Sequence, residues 1–271
     1  MRCPGRGCTD AARLPTSPDE EIRGEALMAR AYVGTSGWSY DGWVGPFYPD
    51  TLPRNQWLAH YARHLDAVEL NASFYRLPMQ NMLKGWAKRT PERFSFSVKA
   101  WQQLTHRKRL KDCGEQLQVF FERMQPLADR TAAVLFQLPP KMPLDVERLE
   151  GFLRQLPAGT RAAFEFRDPR WHVRHVYDAL ERHNAAFVPF ELADQRAPAV
   201  ATAGFVYLRL HGREDKYRGR YGRDQLRPWA DWLTGHMQAG RDAFVFFDNT
   251  DKADDAVRDA LEMREMLGAS A

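Results

Sequence analysis

The sequence predicts an α/β protein, a single closed eight-stranded parallel β/α barrel of the TIM type over residues 31–271, behind a weakly ordered tail at 1–30. Three observations carry this expectation. Short apolar runs alternate with helical patterns, which calls for parallel strands joined by crossover helices. The chain has 271 residues, and one such barrel typically takes about 250. The strand-like runs also alternate apolar and polar residues, and the polar ones gather at the late ends, where barrel enzymes keep their sites.

In chain order, residues 1–30 are rich in Pro, Gly and charge without apolar periodicity, and read as a disordered tail with a short helix near Glu20–Ala29 at most. The strand-like runs are Tyr32–Trp38, Ala67–Phe74, Phe94–Trp101, Ala132–Leu138, Arg161–Arg167, Ala185–Leu192, Phe205–His211 and Ala243–Asn249. Helix candidates between them are Gln56–Leu65, Gln80–Lys88, Gly114–Leu127, Val146–Gln155, Arg174–His183, Asp224–Met237 and Asp254–Met266. Only the sixth connection, Ala193–Ala203, is too short for a full helix. No dinucleotide or phosphate-loop glycine signature follows the first run, which counts against an open doubly wound sheet.

Composition bounds the function classes. Hydrophobic residues make up 44%, charged residues 27%, and the formal net charge is +4. That is ordinary globular composition, mildly basic and compatible with an anionic ligand. No apolar run approaches the roughly 18 residues of a membrane span, and the opening MRCPGRGCTD lacks the apolar stretch of a secretory signal. A soluble, cytoplasmic protein without a membrane partner is expected. Cys3, Cys8 and Cys113 are too few and too scattered for a disulfide framework or a zinc site.

Strand parity then selects the chemistry. Phe94, Phe96 and Val98 would face the helices, leaving Ser95, Ser97 and Lys99 inside. Val206, Leu208 and Leu210 would face out, leaving Tyr207, Arg209 and His211 inside. The same rule turns Glu69, Asn71, Glu165 and Arg167 inward, together with Glu191 and, with less definite orientation, Asp248. So many charges at one end form either an ion-pair network closing the fold or a functional pocket. Read as a pocket, Glu69 and Glu165 are the acid–base candidates, Lys99 and Arg167 would neutralise an anion, and His211 would shuttle a proton. Lys99 would be a Schiff-base nucleophile only if burial or neighbouring cations depress its pKa, and among so many acids it is expected to remain protonated. Trp38, Tyr40, Asn71, Gln137, Arg209 and Asn249 complete the expected lining. Glu165, Glu191, His211 and Asp248 offer metal-ligand chemistry, but without tight ligand spacing and among competing cations, so no metal is expected.

After the seventh run, Gly212–Arg223 interleaves Arg213, Lys216, Arg218, Arg220 and Arg223 with Tyr217, Tyr221 and glycines. Loops at this place commonly bind phosphate, so Tyr217, Arg218, Arg220 and Tyr221 are expected to form an anion-binding lid. His106–Lys111 adds positive charge to the same rim. The reading is an enzyme acting by acid–base chemistry on a small anionic or phosphorylated ligand. A nucleic-acid binder or nuclease using the basic loops, and a non-catalytic ligand-binding protein, are the alternatives. Cofactor and oligomeric state are left open.

Seven linked motifs carry a resemblance. They are Gly34–Tyr40 with Trp43 and Phe47–Pro49; Val68–Asn71 with Phe74, Tyr75 and Pro78; Phe96–Lys99 with Thr105 and His106; Leu135–Pro140; Glu165–Arg167 with Trp171; Tyr207–Gly212 with Tyr217 and Tyr221; and Phe247–Asn249. In these the chain resembles, from about Tyr32 to the C-terminal helix, the family called domain of unknown function 72, the YecE-like proteins. The resemblance implies a fold related to triosephosphate isomerase and implies no activity. Asp248 departs from the family pattern, which usually has Asn there, and an acid at this place would change the charge of the expected pocket.

Overall fold

The computed structural model describes residues 29–213, 215–250 and 254–268. The expected tail, apart from Ala29 and Arg30, lies outside the described residues. The helices are α1 (Trp57–His64), α2 (Ala72–Tyr75), α3 (Gln80–Lys88), α4 (Gly114–Met124), α5 (Val146–Leu153), α6 (Arg174–Arg182), α7 (Gly222–Gln238) and α8 (Asp255–Met266). All seven sequence-predicted helices are therefore present. Each buries an apolar stripe against the strands, as Leu149, Phe152 and Leu153 do in α5. The short α2 occupies the end of the second strand-like run, where Asn71 already has helical backbone angles.

Ten strands form among the described residues: β1 (Ala31–Thr35), β2 (Ala67–Leu70), β3 (Ser95–Lys99), β4 (Thr131–Leu138), β5 (Ala162–Phe166), β6 (Ala186–Phe187), β7 (Phe190–Leu192), β8 (Gln195–Arg196), β9 (Phe205–Leu210) and β10 (Asp242–Phe247). They divide into two five-stranded sheets, β2-β3-β4-β5-β6, all parallel, and β1-β10-β9-β7-β8, which is mixed. The single closed eight-stranded parallel barrel expected from the sequence is overturned by this division.

Two local causes separate the sheets. Pro189 has no N–H to give a ladder, and it splits the run Ala185–Leu192. Val188 N–H still donates to Phe164 of β5 at 2.9 Å, whereas the Pro189 carbonyl accepts from Arg209 of β9 at 3.1 Å. The chain thus crosses from one sheet to the other at this residue. It then reverses through Ala193 (φ 52°) into the antiparallel β8. At the other junction the Tyr61 hydroxyl enters between β1 and β2. It accepts from Thr35 N–H at 2.8 Å and lies 3.1 Å from the Ala67 carbonyl, to which it donates. Between β1 and β2 the ladder shrinks to an isolated bridge, Ser36 with Glu69.

The parity read from the sequence does hold along these strands. Phe96, Val98, Leu208 and Leu210 belong to the larger apolar core under the helices. Tyr32, Ala133, Leu135, Ala163, Tyr207, Phe244 and Phe246 form a second, smaller core on the opposite strand faces. Above that smaller core, at the C-terminal strand ends, the polar side chains meet.

Candidate functional site

Arg209, near the end of β9, is fully buried and organises the cluster. Its Nε and Nη2 donate to both oxygens of Glu69, at 2.9 and 2.5 Å, and Nη1 donates to Glu165 Oε2 at 2.7 Å. Glu69 and Glu165 are themselves fully buried. Removing such ions from water costs several kcal/mol each, so they persist only because fork-shaped bonds fill their lone pairs. Ser36 Oγ at 2.6 Å and Tyr207 OH at 2.8 Å complete the shell of Glu69, and Arg167 Nε donates to Glu165 Oε1. Burial pushes the Glu165 pKa up, but the guanidinium groups of Arg167 and Arg209 outweigh it and hold the carboxyl well below its ordinary value. Glu165 is therefore ionised at neutral pH.

His211 follows β9 and is also fully buried. Nδ1 lies 3.0 Å from Asp248 Oδ2, while Nε2 lies 3.1 Å from Arg167 Nη2 and 3.2 Å from Arg209 Nη1. Two guanidinium donors facing Nε2 make it an acceptor and put the ring proton on Nδ1, donated to Asp248. Burial raises the Asp248 pKa, but the bond from His211 and the positive charges of Arg209 and Lys99 bring it below the ordinary aspartate value.

Lys99 closes β3. Its ammonium stands 4.6 Å over the Phe74 ring. Among the described residues no carboxylate lies within 4 Å of it, because the neighbouring acids are engaged by Arg209, Arg167 and His211. Burial, then the Arg209 charge, lower the Lys99 pKa; Glu69, Glu165 and Asp248 only partly oppose them. Next along the chain, a π-helical turn, Gln103–Arg107, carries His106 edge-on to the same Phe74 ring, 4.9 Å between centroids. Burial, followed by Lys99, Arg107 and Arg109, pushes the His106 pKa down to about 4.

Several other expected residues adjoin this cluster. Asn71 Oδ1 is buried and has no hydrogen-bond partner among the described residues. Gln137 pairs in register with Glu165 and is half-buried, its Nε2 donating to the Leu138 carbonyl at 2.9 Å. Tyr217 adopts φ 65°, its N–H donates to the His211 carbonyl at 2.6 Å, and its ring lies edge-on to His211 at 5.9 Å. Burial pushes its hydroxyl pKa up, and the ring contact with His211 puts the partly exposed side chain at the edge of the cluster.

Others go elsewhere. Glu191 faces α7, accepting from Trp229 Nε1 at 3.1 Å, since the crossing at Pro189 re-aims the strand. Trp38 packs edge-on against Trp86 of α3. Arg220 reaches α8, 2.9 Å from Glu262 and 3.4 Å from Asp259, and Arg218 lies 3.8 Å from Asp215. Tyr221 is a buried strut whose hydroxyl accepts from Gly212 N–H at 3.1 Å. Asn249 is buried, donating to the Gly219 carbonyl and to Asp259. Sequence reasoning missed Ser36, which no periodicity marks, and counted His106 as rim charge only. No group of three or more His, Cys, Asp or Glu among the described residues is arranged to hold a metal ion. A cavity of about 530 Å³ opens instead at the opposite strand ends, beside Arg30, Ser95, Arg130, Thr131 and Arg161. Arg130 caps the Phe94 carbonyl and Arg161 pairs with Asp242, so these cations are already engaged.

Comparison with known proteins gives a consistent result. UPF0759 protein YunF of Bacillus subtilis (strain 168) is 28% identical over 271 residues, spanning 87% of this chain and 94% of that protein. UPF0759 protein YecE of Escherichia coli (strain K12) is 31% identical over 144 residues, 53% of this chain and 50% of its own length. A solved DUF72 family protein from Thermotoga maritima MSB8 has a TM-score of 0.80 and 29% identity, covering 88% of this chain and 99% of that one. Another, from Enterococcus faecalis V583, has a TM-score of 0.76 at 19% identity over 89% and 96% of the two chains, and shares the fold. The family model described as protein of unknown function DUF72 matches residues 32–271, and with these motifs and this architecture the chain belongs to that family.

Proposed function

We propose that the protein is an enzyme acting by proton transfer on a small anionic substrate, held above the buried cluster by Lys99 and Arg167. The observation that carries this reading is the state of Lys99, a mostly enclosed cation with no carboxylate in contact. An uncompensated charge of this kind is costly in a structural network and is relieved by an anion. Asn71 Oδ1, an orphaned acceptor at the neighbouring strand end, would take a hydrogen bond from the same molecule. Glu69 and Glu165, saturated by Arg209, serve as a rigid floor and not as acid–base groups. Proton transfer falls to the half-buried Asp248, oriented by His211, and to His106.

A thermal-shift titration with inorganic phosphate, carried out on wild type, Lys99→Met and Arg167→Met, tests the reading. Phosphate is expected to raise the wild-type midpoint, because a ligand of the native state stabilises it, and each substitution should abolish the shift. Equal shifts in all three proteins would refute the reading. The nucleic-acid alternative is disfavoured by the pairing of Arg220 and Arg223 with acids of α8. Oligonucleotide affinity falling steeply with salt would reinstate it.

A further inference from the structure

A lysine adds to a carbonyl only as the free amine, so a nucleophilic lysine needs surroundings that disfavour its ammonium without blocking the nitrogen. Acids close by ordinarily prevent this. Here each neighbouring acid is committed elsewhere: Glu69 to Ser36, Tyr207 and Arg209, Glu165 to Arg167 and Arg209, and Asp248 to His211. Arg209 adds a fixed positive charge that the lysine feels, and the Phe74 face provides an apolar wall. Edge-on to the same ring, the π-helical turn presents His106, whose Nδ1 is engaged by Thr105 Oγ1 at 2.9 Å. Single π-helical turns are uncommon and occur frequently at functional sites. From this arrangement we infer that Lys99 is a nucleophile forming a Schiff base with a small anionic aldehyde or ketone, with His106 moving the first proton. The inference deepens the reading above and rests on it for the anionic part of the substrate.

The step balances without any oxidant or reductant. The Nζ lone pair attacks the carbonyl carbon, the C=O π pair moves to oxygen, and one proton passes from nitrogen to that oxygen, giving a carbinolamine. A further proton from solvent lets the hydroxyl leave as water, and the nitrogen lone pair forms the C=N bond of the iminium. His106 suits the first transfer, because burial and the nearby cations keep it unprotonated at neutral pH, ready to take the proton from nitrogen and hand it to the oxygen.

The full chain would be incubated with pyruvate and sodium cyanoborohydride, digested, and mapped by mass spectrometry, with acetone as the neutral comparison. Lys99 is expected to be labelled at least tenfold faster than Lys84, Lys88 or Lys108, and faster by pyruvate than by acetone. His106→Gln should slow the labelling severalfold at pH 7 and flatten its pH profile, with the melting midpoint as the check on folding. Labelling of Lys99 no faster than of the other lysines, beside an intact phosphate shift, would overturn the nucleophile and leave the anion site standing. Selective labelling by acetone and pyruvate alike, without a phosphate shift, would overturn the anionic substrate class.

Discussion

Lys99 and Arg209 are both cations enclosed by protein, and their situations are opposite. Arg209 is satisfied by Glu69, Glu165 and Asp248, which hold its pKa well above the ordinary value despite the lowering effect of burial. Removing one partner of such a buried set typically costs about 3–5 kcal/mol. Glu165→Gln is therefore expected to lower the unfolding free energy by about 3 kcal/mol or more in urea titrations, and a loss near zero would show that the network contributes no rigidity. Lys99→Met should leave stability equal or higher, since it removes a buried charge that no carboxylate in contact compensates. The pH dependence separates them further. The folded-state pKa of Lys99 lies below its unfolded value of about 10.5, so the unfolded chain binds more protons between the two. Stability should accordingly rise with pH through that interval in wild type, and the rise should be absent in Lys99→Met. Of this site, parity alone revealed Glu69, Lys99, Glu165, Arg209 and His211. It could not reveal that Arg209 saturates both glutamates, because hydrogen-bond partners depend on which strands adjoin.

Among the elements, the junction of β1 with β2 and the π-helical turn set local limits. Tyr61 OH stands in for a rung of backbone ladder, so Tyr61→Phe would leave the Thr35 N–H buried and unpaired. A loss of about 1–3 kcal/mol is expected for an orphaned donor, read by chemical denaturation, and a neutral effect would mean that the strands close the gap themselves. Gly34 belongs to the same junction: a Cβ there would fall 1.9 Å from the Ala67 carbonyl oxygen, so Gly34→Ala should be poorly tolerated. In the π-helical turn, the His106 pKa near 4 against an ordinary 6.5 means the unfolded state binds more protons between those values. Its contribution to stability should thus be intact above pH 6.5 and decline as pH falls towards 4, a slope that His106→Gln removes. The helices were legible from the sequence because their apolar stripes are long. The π-helical turn was not, since Gln103–Arg107 carries no periodic signal, and neither was α2, hidden inside a run that reads as a strand.

For the whole molecule, alternation of strands and helices was readable, whereas closure was not. Period-two patterns report which face of a strand is buried and contain nothing about whether neighbouring strands complete their ladders. Pro189 was the visible warning, as the one proline within a strand-like run, and it marks where the chain leaves one sheet for the other. The segment 212–223 is likewise placed by long-range contacts. Asp259 of α8 accepts from Tyr221 N–H at 2.9 Å, from Gly222 N–H at 3.1 Å and from Asn249. Arg220 and Arg223 add pairs with Glu262 and Glu265. Asp259→Asn is expected to speed amide hydrogen exchange across 212–223 while the strands keep their protection. Uniform acceleration over the whole chain would instead make Asp259 a global stabiliser.

That attachment has a consequence for the order in which the protein matures. A ribosome delivers the chain from its amino end, so β9 and Tyr217 emerge before the helix that anchors them. A nascent chain exposed only as far as β10 already owns Arg209 and both of its glutamates, and it lacks Asp259, Glu262 and Glu265. Until α8 clears the exit tunnel, the segment around Tyr217 keeps its bonds to His211 and Asn249 but lacks those to Asp259, Glu262 and Glu265, so the rim of the cluster is the last part of the molecule to be secured.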